Sequence, residues 1–219
     1  MVVSFSGIDG AGKTTQIALL EEYCTQNGIQ FTKKWSKARG TPGIMFLKNI
    51  VRRDKKMSTE DQLEYREKVY KTGWKRKLLL NVSLLDLCWY WGIYFRILQK
   101  KCPLLILDRY IWDTYVEVSA EFCIDNLHEK FLWKLVKAVA MKPDKSIILT
   151  IPAEESLRRD TLKGEITTDS LAFKKNKVAT YQMLMNRKCW NVVLDATASV
   201  EQTFNEIRCA LDMQEGLDK

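Results

Sequence analysis

Histidine is nearly missing from this chain: His128 is the only one in 219 residues. The six cysteines, at positions 24, 88, 102, 123, 189 and 209, contain no C-x-x-C pair. These two shortages exclude a zinc centre built from Cys and His. They leave the thiols as those of a reducing compartment. Internal repeats, low-complexity segments and linker-like runs are also missing. The chain therefore reads as one domain over residues 1–213 with a frayed tail at 214–219. The first residues already form a strand, so no signal peptide is expected and the protein is expected in the cytoplasm. Long apolar runs are scarce. The one stretch near membrane-spanning length, 78–95, contains Asn81 and Asp86, which would be costly in lipid. A buried helix beside a cleft accounts for the same residues, and no membrane partner is expected.

What is present is an ordinary globular composition, 46% hydrophobic and 28% charged, with a formal net charge of +8. The excess of positive charge suits anionic partners without choosing among them. The basic clusters Arg52-Arg53-Asp54-Lys55-Lys56 and Lys75-Arg76-Lys77 read most simply as solvated helix faces, so nucleic acid is not expected as a partner.

The amino-terminal stretch organises the rest. Val2 to Ser6 is strand-like, Gly7-Ile8-Asp9-Gly10-Ala11-Gly12-Lys13-Thr14-Thr15 follows, and an apolar, helix-favouring run comes next. Gly7 to Thr14 fits G-x-x-x-x-G-K-[ST] at every fixed position, between a strand and a helix as the motif requires. Glycines let the backbone wrap so that N–H groups point at phosphate oxygens, and the helix offers its positive end to the same anion. Lys13 is placed to reach the outer phosphates, and the Thr14 hydroxyl to bind Mg²⁺.

Strand and helix signals alternate from there. Strands are expected at 30–35, 103–107, 146–151 and 190–194. Helices are expected at 13–26, 44–53, 58–70, 71–98 (one long helix or a bent pair, with Gly73 and Gly92 as irregularities), 114–121, 127–140, 171–186 and 199–213. A short helix opens at Pro152. Residues 162–170 read as a mobile loop. Five such cycles predict an α/β fold, a five-stranded parallel sheet with helices on both faces.

In such sheets ligands bind beyond the carboxyl ends of the strands. That rule gathers Asp9, Arg39, Asp108-Arg109-Tyr110, Arg159 and Asp195-Ala196-Thr197 into one cleft. Asp108, ending an apolar strand, suits a Mg²⁺-associated carboxylate; Arg109 suits a forked contact with an acceptor phosphate. Of the adjacent Arg158 and Arg159, one should face the cleft and the other solvent. Lys163, Lys174 and Lys175 are further cations that could close on phosphates, although each alone reads as surface. Tyr65, Trp74, Trp89, Tyr90, Trp91 and Tyr94 offer either a stacking surface for a flat acceptor or core packing.

These residues resemble the thymidylate kinase family of P-loop nucleoside monophosphate kinases. Three stretches carry the resemblance: Ser6 to Thr15 with its internal acid Asp9, Leu107-Asp108-Arg109-Tyr110, and the frame from Leu149 through Arg159 and Tyr181 to Leu194-Asp195-Ala196-Thr197. The resemblance implies a P-loop fold with a short lid at 159–170, and ATP with Mg²⁺ as donor. Residues 7–15 would hold the ATP phosphates, with Ala196 and Thr197 near adenine. Asp9 would contact the acceptor sugar, Arg39, Arg109 and Tyr110 the acceptor, and Thr14 and Asp108 the metal. Lys13, Arg109 and Arg159 would be catalytic, because no arginine stands between Gly7 and Lys13 and the cation must then come from the lid. The implied reaction is phosphoryl transfer to dTMP or a related nucleoside monophosphate, and a homodimer is left open.

Departures stand beside the resemblance. No arginine occupies 86–88, where the family reads thymine, and none stands between Gly164 and Ser170. No acid follows Arg39, and Asp113 replaces the usual serine after Asp-Arg-Tyr. Asp86 and Asp113 keep open a kinase of the same fold acting on a hydroxyl of another small molecule. A nucleotide-dependent protein binding nucleic acid or membrane surfaces is a third alternative.

Overall fold

A computed structural model of the chain describes residues 1–36, 73–122, 124, 126–162 and 170–213. The expected helices at 44–53 and 58–70, Arg39, Tyr65, Lys163, most of the expected lid and the tail lie outside the described residues, as does the Trp74 side chain.

Five strands are described: β1 Val2–Ser6, β2 Phe31–Trp35, β3 Leu104–Asp108, β4 Lys145–Thr150 and β5 Val192–Asp195. All pair in parallel, in the order β2-β3-β1-β4-β5. The helices are α1 Lys13–Gln26, α2 Gly73–Trp89, α3 Phe95–Gln99, α4 Ile111–Phe122, α5 Phe131–Val139, α6 Ala153–Leu162, α7 Leu171–Asn186 and α8 Val200–Ala210. The step from β1 to β2 runs toward one sheet edge, and the later steps run toward the other. Right-handed crossovers then put α1 on one face and α2 to α7 on the opposite face. The contacts agree: α8 packs on α1, while α4 and α6 both pack on α7 and α2 packs on α5.

Covering on both faces explains the strand sequences. All of β1 is buried, and so are Leu104 to Leu107 of β3. The edge strands β2 and β5 keep Trp35 and Val193 exposed. With β1 central, the loop that follows it emerges in the middle of the sheet's carboxyl edge, flanked by the ends of β3 and β4.

Two expected helices are interrupted. The long one passes through a π-helical turn at Tyr90–Tyr94. Gly92 sits in that turn, where a β-carbon would approach Val139 to 3.3 Å, so α5 crosses at close range. The wide turn leaves the Trp91 carbonyl to accept the N–H of Met141 at 3.3 Å. The other, expected at 127–140, is a 3₁₀ turn at Leu127–Glu129 and then α5, separated by an extended Lys130 at ψ 132°. Among the described residues no helix is long and apolar enough to cross a membrane; Trp91 and Phe95, inside the stretch 78–95, are core.

Candidate active site

The loop after β1 is held by close packing below it. Gly7 has φ 141°, and a β-carbon there would lie 2.4 Å from the Leu149 carbonyl oxygen of β4, so no side chain fits. Gly10 has φ 78° and rests on α6, its β-carbon position 3.0 Å from the Ser156 carbonyl oxygen. α1 then begins with no side-chain cap and no acid in its first turn, which leaves its positive end facing the loop. Lys13 is buried, and its Nζ donates to the carbonyls of Gly7 and Ile8, each at 2.8 Å. Burial, and then the charge of Arg109, bring its ammonium down to about 8 from the usual 10.5. Thr14 and Thr15 are exposed at the start of the helix.

Asp113 is the anchor beneath this loop. It is fully buried, and its carboxylate accepts four hydrogen bonds. Oδ2 takes Ser6 Oγ at 2.6 Å and the Tyr110 N–H at 3.1 Å; Oδ1 takes the Gly7 N–H at 3.0 Å and the Tyr181 hydroxyl at 2.7 Å. The expectation that Asp113 marks an acceptor subsite is therefore overturned. As the third residue of α4 it turns inward, and all of its acceptor capacity serves the loop and its neighbours.

The turn after β3 brings three residues to the loop. Arg109 adopts φ 68°, a left-handed conformation unusual for a side-chain-bearing residue, while its N–H stays on the Phe5 carbonyl at 2.9 Å. The bend directs its guanidinium sideways across the strand ends. Nη2 donates to Asp9 Oδ1, and Nη1 reaches Glu117 Oε1 of α4 at 3.4 Å. Burial alone would lower its proton affinity; Asp9 and then Glu117 outweigh that and hold it firmly charged. Asp108 is half-buried and its carboxyl is pushed up by burial, against the pull of Lys13 and Arg109. Tyr110 behaves otherwise than expected. Its hydroxyl donates to the Met141 carbonyl at 2.7 Å and its ring packs on Trp91 at 4.9 Å, so the side chain belongs to the core and not to an acceptor site. Trp91 is also core, its Nε1 donating to Ser36 Oγ at 2.7 Å. Trp89 is exposed, whereas Tyr90 and Tyr94 are half-buried and stack on each other at 5.1 Å.

α6 supplies the opposite wall. Arg159 spans two loops: Nη1 donates to the Gly10 carbonyl at 3.3 Å and Nη2 to the Ala196 carbonyl at 3.0 Å, while Nε pairs with Glu155 at 2.6 Å. Arg158 pairs with the same glutamate from the solvent side, so the two arginines divide as expected. Glu155, between them, is held at about 2 by Arg158 first and Arg159 second. The turn after β5 is shaped by Asp195, whose carboxylate accepts the Thr197 N–H at 2.9 Å. Lys174, read as a surface cation, is instead 1% exposed and paired with Asp160. Lys175 stays on the surface beside Glu154.

Residues 92–207, more than half of the 219, match a family model described as thymidylate kinase. The chain belongs to the thymidylate kinase family. Curated relatives align along nearly the whole chain. It is 25% identical over 213 residues to a probable thymidylate kinase of Archaeoglobus fulgidus, covering 97% of this chain and 95% of that one. It is 27% identical over 211 residues to a probable thymidylate kinase of Pyrococcus abyssi, covering 94% and 92%. It is 24% identical over 219 residues to the thymidylate kinase of Akkermansia muciniphila, covering 97% and 92%.

As a member of the thymidylate kinase family the chain is an ATP-dependent phosphotransferase. The side chains at the strand ends fit the modest demands of Mg²⁺, which keeps most of its water and takes one or two protein oxygens beside substrate phosphates. Asp108 offers one oxygen-bearing group close enough to Lys13 to alter its proton affinity, and the exposed Thr14 hydroxyl offers another. Four participants went unread in the sequence: Glu117, Ser156, Asp160 and Tyr181 as a partner of Asp113. Glu117 stands four residues after Asp113 on one helix face, a spacing that could have flagged it. Ser156, Asp160 and Tyr181 meet their partners only through the fold.

Proposed function

We propose that this chain transfers the γ-phosphoryl group of ATP to a nucleoside monophosphate, with dTMP as the acceptor. One observation carries the proposal: the lysine of the loop and the arginine of the β3 turn share one charge cluster. Lys13 feels Arg109, Asp9, Asp113 and Asp108, and Arg109 is bonded to Asp9 of the loop itself. The loop proposed to cradle the donor and the arginine proposed to hold the acceptor are neighbours, which supports in-line transfer.

On this proposal the amides of residues 7–14 and the positive end of α1 receive the ATP phosphates. Ala196 and Thr197 border the adenine. Arg39 and Arg109 grip the acceptor phosphate, and Asp9 meets the acceptor sugar. An oxygen of that phosphate bonds to the γ-phosphorus while the bond to the β,γ-bridging oxygen breaks, releasing ADP. Lys13 and Arg159 offset negative charge on the transferring group. Thr14 and Asp108 would hold Mg²⁺, whose chemistry when bound is to neutralise charge on the phosphate oxygens.

A second reading keeps the donor half and changes the acceptor to one that reacts through a hydroxyl. It is favoured by Arg109 lying between two carboxylates, Asp9 and Glu117. ADP release from ATP, measured with dTMP, dUMP, dCMP, UMP, AMP and the free nucleosides, separates the two. Strong stimulation by dTMP supports the first; stimulation by unphosphorylated compounds alone replaces it with the second.

A further inference from the structure

α6 and α7 face each other through charges that solvent does not reach. Asp160 and Lys174 each expose 1% of their surface, with Lys174 Nζ 2.5 Å from Asp160 Oδ2. The same ammonium donates to Ser156 Oγ at 2.9 Å, and Ser156 Oγ donates to the main-chain carbonyl of Asp9 at 2.6 Å. Ser156 is fully buried. The phosphoryl-transfer scheme uses none of these three side chains. A buried ion pair is costly to desolvate and is weak evidence of stabilisation, so its place against the loop calls for another role.

The donor chemistry gives the chain a direction. An ammonium carries only donors, so Ser156 Oγ accepts from Lys174, and the one hydroxyl hydrogen is left for Asp9. Asp160 keeps the ammonium in place. In a trans peptide the carbonyl and the following N–H point in opposite directions. Tying the Asp9 carbonyl down to α6 therefore turns the Gly10 N–H away from α6. Gly10 rides on the same helical turn: a β-carbon there would lie 3.2 Å from Asp160 Oδ1, a buried oxygen with no hydrogen-bond partner among the described residues.

We propose that Ser156, Lys174 and Asp160 are positioning residues of the donor site, which orient the Asp9–Gly10 peptide so that the Gly10 N–H faces the polyphosphate. This rests on the donor-site assignment above. The relay acts on the loop backbone, whereas Arg109 holds the Asp9 side chain, so its loss is felt by nucleotide and far less by acceptor.

The test is ADP binding by calorimetry in Ser156→Ala and in the double variant Asp160→Asn/Lys174→Met, which removes both buried charges together. [¹⁵N]glycine-labelled protein reports the Gly10 amide directly. Both variants are expected to bind ADP about tenfold more weakly, with a moved Gly10 resonance in the free protein and an acceptor KM within about twofold of wild type. Should the double variant not fold, Ser156→Ala decides alone. Wild-type ADP affinity and an unmoved Gly10 resonance in Ser156→Ala would overturn the proposal. Failure of the wild-type protein itself to bind ADP would remove the donor site on which it rests.

Discussion

Tyr181 of α7 donates its hydroxyl to Asp113 Oδ1 at 2.7 Å, and the same oxygen accepts the N–H of Gly7, the first glycine of the phosphate loop, at 3.0 Å. One carboxylate thus joins α7, α4, β1 and the Asp108–Tyr110 turn. Burial and the neighbouring Asp113 push the Tyr181 phenol well above its usual range, so it stays a donor at any working pH.

Tyr181→Phe removes one of four donors and should lower unfolding free energy by about 1–3 kcal/mol. Asp113→Ala leaves Ser6, the Gly7 N–H, the Tyr110 N–H and Tyr181 without an acceptor. It should cost more than Tyr181→Phe and weaken ADP binding as well. Urea denaturation and calorimetry read both effects. Equal stability of the two variants would mean that Asp113 is not the anchor described.

Lys13→Met should abolish turnover and keep the fold, and its stability should respond to pH in a defined direction. In the folded wild type the ammonium titrates at about 8, against 10.5 in the open chain. Below about pH 8 both states are protonated and the folded state carries the whole penalty, on the order of 3 kcal/mol. Between about pH 8 and 10.5 the folded state sheds the proton first, so wild-type stability rises relative to the variant. Urea midpoints at pH 7 and pH 9.5 should show that gain; a constant difference would contradict the burial of a charged Lys13.

Arg158 and Arg159 are adjacent, with 62% and 27% of their side chains exposed. Arg158→Ala should change stability and ATP KM negligibly, since an exposed pair contributes little. Arg159→Ala unties the Gly10 carbonyl from the Ala196 carbonyl and removes a cation from the loop wall. Its ATP KM should rise about tenfold. Steady-state kinetics with ATP varied compares the two, and equal effects would refute the division of roles.

Arg109→Lys keeps the charge and loses the fork between Asp9 and Glu117. Acceptor kcat/KM should fall about thirtyfold or more, with ADP affinity unchanged. A matching loss in ADP affinity would place Arg109 on the donor side.

The strand, loop and helix at the amino terminus were legible because their signals are local. A strand, a spaced set of glycines, Lys13 and an apolar helix follow one another, and α1 runs over the expected residues 13–26. Alternation also indicated the parallel sheet, whereas the strand order needed the pairings. What escaped depends on residues far apart in the chain. Asp113 looked like a free acid because its partner Tyr181 stands 68 residues away. Lys174 looked like surface because its partner Asp160 stands 14 residues away, on another helix. Tyr110 shared a motif with Arg109, but the left-handed turn at Arg109 sends the two side chains different ways, one to the cleft and one to the core.

In the proposed reaction the outermost phosphate of ATP passes to a phosphate of the acceptor. The decisive measurement is incubation with [γ-³²P]ATP, dTMP and thymidine, followed by separation of the nucleotides. Label is expected in the β-phosphate of dTDP, with dTMP unlabelled. Label in dTMP, formed from thymidine, or in inorganic phosphate alone, with no labelled dTDP, would refute the proposed reaction.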